Sequence, residues 1–405
     1  MSDRNSEAVR ALLKPAAVRA RAHEMLELGR AGRLLHFTVH PERLEACADY
    51  VLETIRANYP TLDIPFHARW RHFVLDGDDR WRKLDAEAAF PDAHARGRAA
   101  YDLAIVSVLL DAGAGPDWRY RDGATGRAIG RSEGLALASL DMFAAGLFSS
   151  DPADPYRADA KGLKRLDAAA LAQGFQAGPG NPLLAVEGRA ALLNRLGEEL
   201  ERQGLGRPGA LFDRFAAAAE TGTVRAPYLL GEVLGTFGGI WPSRLTVAGV
   251  PLGDTWRHPL IGGEGPSAGL VPFHKLSQWL TYSLIEPLQW AGIAVVDVDD
   301  LTGLPEYRNG GLLLDSGVIA LKHEADRTKA HEVSSALVVE WRALTVALLD
   351  AIGAAVRERL GRTPEDLPLA KVLEGGTWAA GRRIAREKRV DGGPPLAIVS
   401  DGTVF

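Results

Sequence analysis

The sequence has little cysteine, no long apolar run and no excess of basic charge, and each absence excludes a class of protein. Cys47 is the only cysteine in 405 residues, so an internal disulfide and a multi-cysteine zinc or iron–sulfur site are both excluded. No apolar run approaches the roughly 18 residues of a membrane-spanning helix. The N-terminal segment mixes charges into a helical pattern without the apolar core of a signal peptide. We therefore expect a cytoplasmic protein with no membrane partner.

The charge and motif content exclude further classes. A formal net charge of −5 gives no general attraction to a polyanion, so we expect no nucleic-acid partner. The ten histidines form no HExxH pattern, which argues against a metal site of that kind. The segment GGEGPSAG lacks the Lys-Ser/Thr ending of a phosphate loop and the spacing of a dinucleotide fingerprint. The sequence therefore predicts no metal and no nucleotide cofactor.

Apolar periodicity predicts a mainly α-helical protein with a small β component. Helical spacing covers residues 6–59, 162–235, 333–360 and 367–388. Residues 236–271 are rich in glycine, proline and tryptophan, which predicts a looping insert with short strands. The closing segment PPLAIVSDGTVF indicates a short strand or hairpin. The length allows one large domain over 1–405, or two intimately packed helical lobes at about 1–235 and 236–405.

The segment LTGLPEYRNGGLLLDSGVIALK is the most informative in the chain. It places four polar residues on a turn, with a proline before them and two glycines after them. The proline fixes its own φ and the glycines can adopt positive φ, so the backbone constrains the polar side chains. The four residues are Glu306, Tyr307, Arg308 and Asn309. The alternative is a structural turn in which the Glu and the Arg pair with each other.

A second polar group lies on the predicted helix PFHKLSQWLTYSLIEPL, residues 272–289. Three side chains with precise hydrogen-bond geometry are four residues apart and share one face of that helix. These residues are His274, Gln278 and Tyr282, with Lys275 and Trp279 on a neighbouring stripe. The helix is predicted to line a polar pocket, and the alternative is a capped, partly exposed helix.

Carboxylates and cations suggest the chemistry of this pocket. Glu306 can activate water or stabilise a developing cation, with Asp315 as a possible partner. Asp141 interrupts an apolar helix, so we expect it to find a buried partner or to face a polar pocket. Arg308 and Lys275 can hold an anion such as a phosphate. Each of these two cations can equally be a salt-bridge partner.

The segment RWRHF adds a basic and aromatic cluster. It contains Arg69, Arg71 and His72 beside Trp70 and Phe73. These residues can meet the same ligand as the Glu306 turn. An amphipathic strand with arginine outside and tryptophan inside explains the pattern almost as well.

These blocks together resemble a known family. IPFHARWRHF, RSEGLALASLDMFAAGLFSSDP, VPFHKLSQWLTYSLIEPL and LTGLPEYRNGGLLLDSGVIALK are similar to the family linked to uracil catabolism in fungi and bacteria, that of the fourth component of the yeast URC pathway. The resemblance covers nearly the whole chain. Such long blocks are specific for family membership and much less specific for the reaction.

A second similarity is to the queuosine-nucleotide N-glycosidases, which are mainly helical and distantly like DNA glycosylases. Their aromatic-Tyr-Lys-Arg-Ala-Gln helix precedes a Thr-x-Phe-Ala-Asp-Tyr-Arg turn, and the matching residues here are Phe273, His274, Lys275, Gln278, Leu301, Thr302, Glu306, Tyr307 and Arg308. Glu306 replaces an aspartate, which keeps the charge and lengthens the reach. Another aspartate of that family falls at Ser283, which leaves Asp141 or Asp315 as candidates for its role.

The two resemblances imply one reaction. In the uracil pathway the ring of uridine monophosphate is opened to a ribosylurea phosphate, whose N-glycosidic bond must still be cut. They imply a metal-independent N-glycosidase, linked to uracil-degradation enzymes, that releases urea and ribose 5-phosphate from a phosphorylated small molecule. The alternatives are a non-catalytic sensor of uracil or its nucleotide, an amidohydrolase or deaminase acting on another intermediate and, less favoured, a DNA-lesion glycosylase.

Residue roles follow from this implied reaction. Glu306 would stabilise the oxocarbenium-like state and activate water, and His274 or Tyr282 would protonate the leaving group. Asp141 or Asp315 would bind the ribose hydroxyls. The remaining predicted substrate-binding residues hold the phosphate or line the pocket: Lys275, Arg308, Arg71, Gln278, Trp279, Tyr307 and Asn309.

Overall fold

The computed structural model describes residues 2–111, 113–241, 244–263 and 265–399. Within these ranges the α-helices are α1 (Ser2–Arg10), α2 (Pro15–Arg30), α3 (Leu44–Asn58), α4 (Arg80–Ala88), α5 (Ala93–Leu109), α6 (Arg131–Ala144), α7 (Ala160–Lys164), α8 (Ala168–Gly174), α9 (Val186–Arg202), α10 (Ala210–Ala218), α11 (Ala226–Phe237), α12 (Lys275–Trp290), α13 (Tyr307–Asp315), α14 (Ala336–Leu360), α15 (Leu369–Val372) and α16 (Trp378–Lys388). The strands are β1 (Phe37–Val39), β2 (Val74–Leu75), β3 (Asp78–Asp79), β4 (Tyr120–Arg121), β5 (Ala128–Ile129), β6 (Thr223–Arg225), β7 (Thr246–Val247), β8 (Val250–Pro251), β9 (Thr255–Arg257), β10 (Leu270–Pro272), β11 (Ala294–Val296), β12 (Ile319–Leu321), β13 (Ala330–Glu332) and β14 (Ala397–Val399).

The prediction of a mainly helical chain with a small β component is confirmed. The strands of the described ranges are two or three residues long and pair only two at a time. The insert predicted over 236–271 contains the short strands β7 to β9 and most of β10. Of the closing segment, β14 pairs in parallel with β13, while residues 400–405 lie outside the described residues. The resemblance to glycosylase folds stays a prediction.

The chain divides into two compact units. The first comprises Met1–His67, Ser243–Gln278 and Asp297–Phe405, and the second comprises Ala68–Pro242 and Trp279–Val296. These bounds differ from the lobes at 1–235 and 236–405. Whether the chain acts as one domain or as two lobes therefore stays a prediction.

The first unit is built around α14, which is buried along most of its length. Ser335 caps the helix by accepting a hydrogen bond from the Val338 amide, and Gly361 ends it in the left-handed conformation, at φ +61°. Helices α2 and α3 pack against α14, and α13 packs against α16. Antiparallel pairing of β1 with β12 joins positions 37 and 321. This helix therefore organises segments from the beginning and the end of the chain.

The second unit is built around α5, whose C-terminal half is buried on all sides. Helices α6 and α10 pack against α5, and α7 packs against α9. Strands β6 and β11 pair in parallel. Over the part of the chain that the structure describes, no helix combines the length and the apolar character that crossing a membrane requires.

Candidate functional site

The junction of β10 and α12 differs from the sequence prediction. The helix was predicted from residue 272, but β10 extends to Pro272 and α12 begins at Lys275. His274 lies between them with φ +49°, so it precedes the helix. Its carbonyl still accepts a hydrogen bond from the Gln278 amide at 2.8 Å. The side chain of Asp254, next to β9, accepts a hydrogen bond from the Lys275 amide at 3.0 Å.

Asp254 also forms a buried ion pair with Arg342 of α14. The two guanidinium nitrogens donate to the two carboxylate oxygens at 2.8 and 2.7 Å, and the guanidinium lies 4.2 Å from the centre of the Phe273 ring. Burial alone would raise the pKa of Asp254, but Arg342 and the donors Trp256 and Lys275 hold it well below the ordinary value. The pair fixes the start of α12 to the central helix of the first unit.

Gln278 connects α12 to the turn before Glu306. Its amide oxygen accepts a hydrogen bond from the Thr302 amide at 2.8 Å, and its amide nitrogen donates to the Thr302 hydroxyl at 2.6 Å and to the Phe273 carbonyl at 3.0 Å. The Gln278 side chain is completely buried. Such a satisfied network orients its members strictly, because a buried unpaired amide is costly. The two segments highlighted in the sequence are therefore joined by Gln278.

Glu306 is the N-cap of α13. Its carboxylate accepts hydrogen bonds from the amides of Arg308 at 2.7 Å and Asn309 at 2.6 Å, and the residue is 8% exposed. Burial raises the pKa of Glu306, although these two amides and the charges of Lys275 and His67 lower it. The predicted turn is therefore a helix start that holds one buried carboxylate at its N-cap.

The neighbours of Glu306 are also buried. Asn309 donates to the Leu304 carbonyl at 3.0 Å and accepts a hydrogen bond from Thr377 at 2.9 Å. Arg308 donates to the Gly392 carbonyl at 2.8 Å. Its guanidinium lies 4.9 Å from the centre of the Tyr307 ring. The sequence alternative of a Glu306 and Arg308 ion pair is wrong within the described residues, because Glu306 contacts the Arg308 backbone instead.

His274 donates its ring proton to a carbonyl within the protein and is not placed as an acid. Its Nε2 donates to the Leu12 carbonyl at 2.9 Å, and its Nδ1 is buried with no hydrogen-bond partner in the described residues. Burial lowers the pKa of His274, so the ring is neutral at pH 7. Its single N–H proton is on Nε2 and is hydrogen-bonded to the Leu12 carbonyl. This geometry argues against His274 as the donor to a leaving group and leaves Tyr282, a fully buried residue of α12, as the predicted donor.

His67 and Glu374 were not singled out from the sequence. His67 Nδ1 lies 2.7 Å from a carboxylate oxygen of Glu374, and both side chains are largely buried. Glu374 belongs to a π-helical turn, Leu373–Thr377, between α15 and α16. The segment 367–388 was predicted as one helix, and this turn interrupts it. A glutamate followed by two glycines inside a helical pattern was the available signal.

The two other predicted carboxylates, Asp315 and Asp141, have hydrogen-bond partners of their own. Asp315 is the last residue of α13, about 13 Å along the helix axis from the N-cap at a rise of about 1.5 Å per residue. It accepts two hydrogen bonds from Arg389, at 2.7 and 2.6 Å. Asp141 belongs to the second unit and accepts a hydrogen bond from Tyr120 at 2.5 Å. The structure therefore does not bring Asp315 to Glu306 as the sequence suggested.

The basic and aromatic cluster lies in the second unit. Arg71 donates to Glu286 at 2.7 Å. Arg69 is fully buried, forms an ion pair with Asp111 at 2.7 Å and lies 5.5 Å from the centre of the Trp279 ring. Residues 69–73 form a 3₁₀ helix, so the alternative of an amphipathic strand is wrong. Within this unit the arginines of the segment serve as ion-pair partners.

The ion pair of Asp254 and Arg342 was also missed in the sequence. Its signal lies in VVEWRALTVALL, where Glu340 and Arg342 interrupt an apolar helix. Glu340 accepts hydrogen bonds from the backbone amides of Leu35 and His36 at 2.7 and 2.9 Å. Both charges therefore have partners from distant parts of the chain. Among the residues that the structure describes, no group of three or more His, Cys, Asp or Glu side chains is arranged to hold a metal ion.

The fold and this site define a mainly helical protein with a buried, capped carboxylate beside cationic side chains. Residues 11–405 match the family described as protein of unknown function DUF1688, and the chain belongs to this family. It is 42% identical to the protein urg3 of Schizosaccharomyces pombe over 409 residues, which covers 99% of this chain and 100% of that protein. It is 37% identical to uracil catabolism protein 4 of Lachancea kluyveri over 407 residues, which covers 91% of this chain and 92% of that protein. The predicted family is confirmed, and the similarity to queuosine-nucleotide N-glycosidases stays a prediction.

Proposed function

We propose that this protein takes part in uracil catabolism and hydrolyses the N-glycosidic bond of ribosylurea 5-phosphate or a closely related nucleotide. The products are urea and ribose 5-phosphate. The link to the pathway rests on the relatives, one of which is named for uracil catabolism. The proposed chemistry rests on one observation, the buried carboxylate of Glu306 at the start of α13.

Glycosidic hydrolysis needs negative charge near C1, an activated water and a proton for the leaving nitrogen. Each Glu306 oxygen uses one lone pair for the helix cap and retains another for water or substrate. Burial raises the pKa of Glu306, which makes the carboxylate a stronger base than an exposed glutamate. The positive charge of Lys275 favours the ionised form of Glu306. Glu306 can therefore accept a proton from water and stabilise positive charge at C1.

A phosphate on the substrate would be held by Arg308 and Lys275. Arg308 is 5% exposed and has a carbonyl partner, Gly392, but it forms no ion pair with any residue in the described ranges. A buried guanidinium without a counter-charge is costly, and a bound anion would offset that cost. This feature favours a phosphorylated ligand over a neutral one.

A non-catalytic sensor of uracil or its nucleotide is the second candidate. Both oxygens of Glu306 cap α13, which a purely binding or structural carboxylate would also do. The two functions differ in what a loss of charge at Glu306 does. If the protein is a sensor, the wild type binds the ligand and releases no product. If it is a hydrolase, the wild type releases product and the loss of charge at Glu306 abolishes turnover.

The test is to incubate the purified protein with enzymatically ring-opened uridine monophosphate and to quantify urea and ribose 5-phosphate by mass spectrometry. We expect equal release of both products, unaffected by chelator and reduced at least 100-fold in Glu306→Gln. Asp92→Asn is the matched control, because Asp92 caps α5 through the Ala95 amide at 2.7 Å, and we expect it to keep wild-type activity. Binding without product release would support the sensor, and ammonia release would support the amidohydrolase.

A further inference from the structure

We propose that a pocket of the first unit binds a small zwitterion of the α-amino-acid type that carries an apolar side chain. The pocket has a volume of about 450 Å³, which is in the range of small-molecule sites. None of its lining residues belongs to the Glu306 turn or to α12. The inference therefore goes beyond the proposed function and holds whether or not the protein cuts a glycosidic bond.

Two segments of the chain form the walls of this pocket. One comprises residues 61–65, which follow α3, and the other comprises residues 360–371, which lead from the end of α14 into α15. Burying a hydrocarbon side chain against an apolar wall is favourable. The apolar lining residues that offer such a wall are Leu62, Ile64, Pro65, Leu360 and Leu367.

Backbone hydrogen bonds fix both walls. The Ile64 amide donates to the Leu62 carbonyl at 2.8 Å, and the Leu62 amide donates to the Tyr59 carbonyl at 3.0 Å. On the other wall, the Leu367 amide donates to the Thr363 carbonyl at 3.0 Å. A ligand therefore meets ordered backbone, and little of its binding free energy is needed to order the pocket.

Neighbouring contacts join the two walls to each other. The His67 amide, next to the first wall, donates to the Ala370 carbonyl of the second wall at 3.0 Å. A Cβ atom on Gly375 would lie 3.0 Å from Ile64, so the first wall also packs on the π-helical turn after α15. The pocket is therefore a fixed feature of the first unit.

The backbone of Leu62 is in an unfavourable conformation. Its φ is +62°, in the left-handed region that residues with a Cβ atom rarely adopt. Such positions persist only where the surrounding structure enforces them, and they concentrate at ligand-binding sites. Leu62 lines the pocket in this conformation, which supports a binding role for the wall.

The two cations of the lining, Arg362 and Lys371, have no carboxylate partner. Neither side chain forms an ion pair with any residue that the structure describes. The Lys371 ammonium lies 5.5 Å from the centre of the Phe66 ring, and Arg362 is exposed. A guanidinium can donate two parallel hydrogen bonds to a carboxylate, and an ammonium adds a point charge. These side chains would hold the carboxylate of the ligand.

The two carboxylates of the lining, Asp63 and Asp366, likewise have no cationic partner. Asp63 forms no ion pair within the described ranges, and Asp366 accepts hydrogen bonds from the amide and the hydroxyl of Thr363 at 3.4 and 3.2 Å. Opposite charges thus line one pocket without pairing across it. A molecule that carries both charges would neutralise them together, with its ammonium group at Asp63.

The experiment is calorimetric titration of the wild-type protein with L-leucine, isocaproate, isoamylamine and glycine. Isocaproate lacks the ammonium group, isoamylamine lacks the carboxylate, and glycine lacks the apolar side chain. We expect L-leucine to bind with a Kd of about 1 mM or below. Each of the other three probes lacks one of the predicted contacts and should bind at least about tenfold more weakly.

Two variants place the binding in this pocket. We expect Arg362→Gln and Asp63→Asn each to raise the Kd for L-leucine by about tenfold or more. The matched controls are Arg82→Gln and Asp117→Asn, whose side chains are exposed in the second unit, and both should bind as the wild type does. The substituted side chains are all exposed, so the four variants should keep the thermal unfolding midpoint of the wild type.

Three results would overturn the proposal. Absence of saturable L-leucine binding up to about 10 mM would exclude the site. An unchanged Kd in Arg362→Gln and Asp63→Asn would show that L-leucine binds elsewhere. Equal affinity for L-leucine and for isocaproate, isoamylamine or glycine would exclude a zwitterion with an apolar side chain as the ligand. None of these measurements depends on turnover, so the proposed reaction can fail without affecting this inference.

Discussion

Arg308 carries the clearest residue-scale prediction. Its guanidinium is buried against Tyr307 and donates to Gly392. We expect Arg308→Ala to raise the Kd for the phosphorylated substrate by about 10 to 100-fold, because a hydrogen bond to a charged group contributes about 1.5–3 kcal/mol. The unphosphorylated analogue should bind the wild-type protein and the Arg308→Ala variant with equal affinity. Calorimetric titration of both ligands measures this, with exposed Arg386 replaced by Ala as control. Equal affinity of the wild type for both ligands would contradict the proposed role of Arg308 in binding the phosphate.

The buried pair of Asp254 and Arg342 carries a prediction about stability. We expect Arg342→Ala to lower the free energy of unfolding by about 3–5 kcal/mol, because it leaves a buried carboxylate uncompensated. Since the pKa of Asp254 is lowered, the contribution of this carboxylate is present above about pH 4 and is lost as the pH falls towards the folded-state pKa. Denaturant titration at several pH values measures this.

An exposed ion pair is the control for that measurement. Arg359 pairs with Glu45 at 2.5 Å, and the Glu45 side chain is 70% exposed. We expect Glu45→Gln to lower the free energy of unfolding by less than about 1 kcal/mol. A loss at Arg342→Ala no larger than this would show that the buried pair does not hold the start of α12.

The residue types of the Glu306 turn could be predicted, but their partners could not. A proline, an acidic residue and two glycines in sequence indicate a constrained polar turn. The capping of α13 by Glu306, however, depends on the helix that follows. His274 shows the limit clearly, because its hydrogen-bond partner Leu12 is 262 residues away in the sequence. No local sequence pattern can reveal a hydrogen bond to so distant a carbonyl. For this reason the sequence suggested that His274 donates a proton to the leaving group.

At the scale of elements, long helices were predicted well and their ends were not. Helix α14 ends at Leu360, as the helical spacing over 333–360 predicted. Helix α12 begins at Lys275, because β10 pairs with β9 through Pro272 and occupies the predicted first turn. The pairing strand lies in a glycine-rich insert without a clear strand pattern. Tertiary pairing decided the boundary there, against local preference.

The π-helical turn at Leu373–Thr377 carries the element-scale prediction. We expect Gly376→Ala to destabilise the first unit by about 1–3 kcal/mol, because its new Cβ would lie 2.7 Å from Val51 and 2.8 Å from Ile55. The same substitution at Gly231, inside α11, meets nothing within 4 Å and should stabilise the protein by about 0.5–1 kcal/mol. Thermal unfolding of the two variants measures the contrast. Equal effects would show that the turn is not tightly packed.

At the scale of the whole molecule, composition predicted the class of fold, whereas the division of the chain into compact units depends on contacts that composition does not report. The suggested boundary near residue 235 follows a change from helical to glycine-rich composition. Contacts instead assemble the first unit from three separate segments. Pairing such as that of Phe37 with Leu321 is invisible to a reading of local composition. Sequence patterns report neighbours along the chain, whereas compact units depend on neighbours in space.

Glu306 carries a prediction about the unfolding of the molecule as a function of pH. Because the pKa of Glu306 is raised, its contribution to stability is fully present below about pH 4 and is lost as the pH rises through the folded-state pKa. We therefore expect the stability of the wild type relative to Glu306→Gln to fall from pH 4 to pH 8. Differential scanning fluorimetry at each pH measures this. A difference independent of pH would contradict it.

The cap of α5 gives the opposite sign and serves as the control. The pKa of Asp92 is lowered by its hydrogen bond with the Ala95 amide. Its contribution is therefore present above about pH 4 and is lost as the pH falls. The difference in stability between the wild type and Asp92→Asn should shrink below about pH 4. The difference between the wild type and Glu306→Gln should be largest in the same pH range.

The pairing of β1 with β12 also sets an order of events during synthesis. Phe37 leaves the ribosome long before its partner Leu321 exists, and at about 5–20 residues per second the interval lasts tens of seconds. The apolar faces of α2 and α3 pack against α14. They therefore stay unpaired until α14 has been synthesised. The second unit, by contrast, is complete once residue 296 has emerged. The nascent chain therefore exposes its earliest helices the longest, and these are the segments on which a chaperone would act.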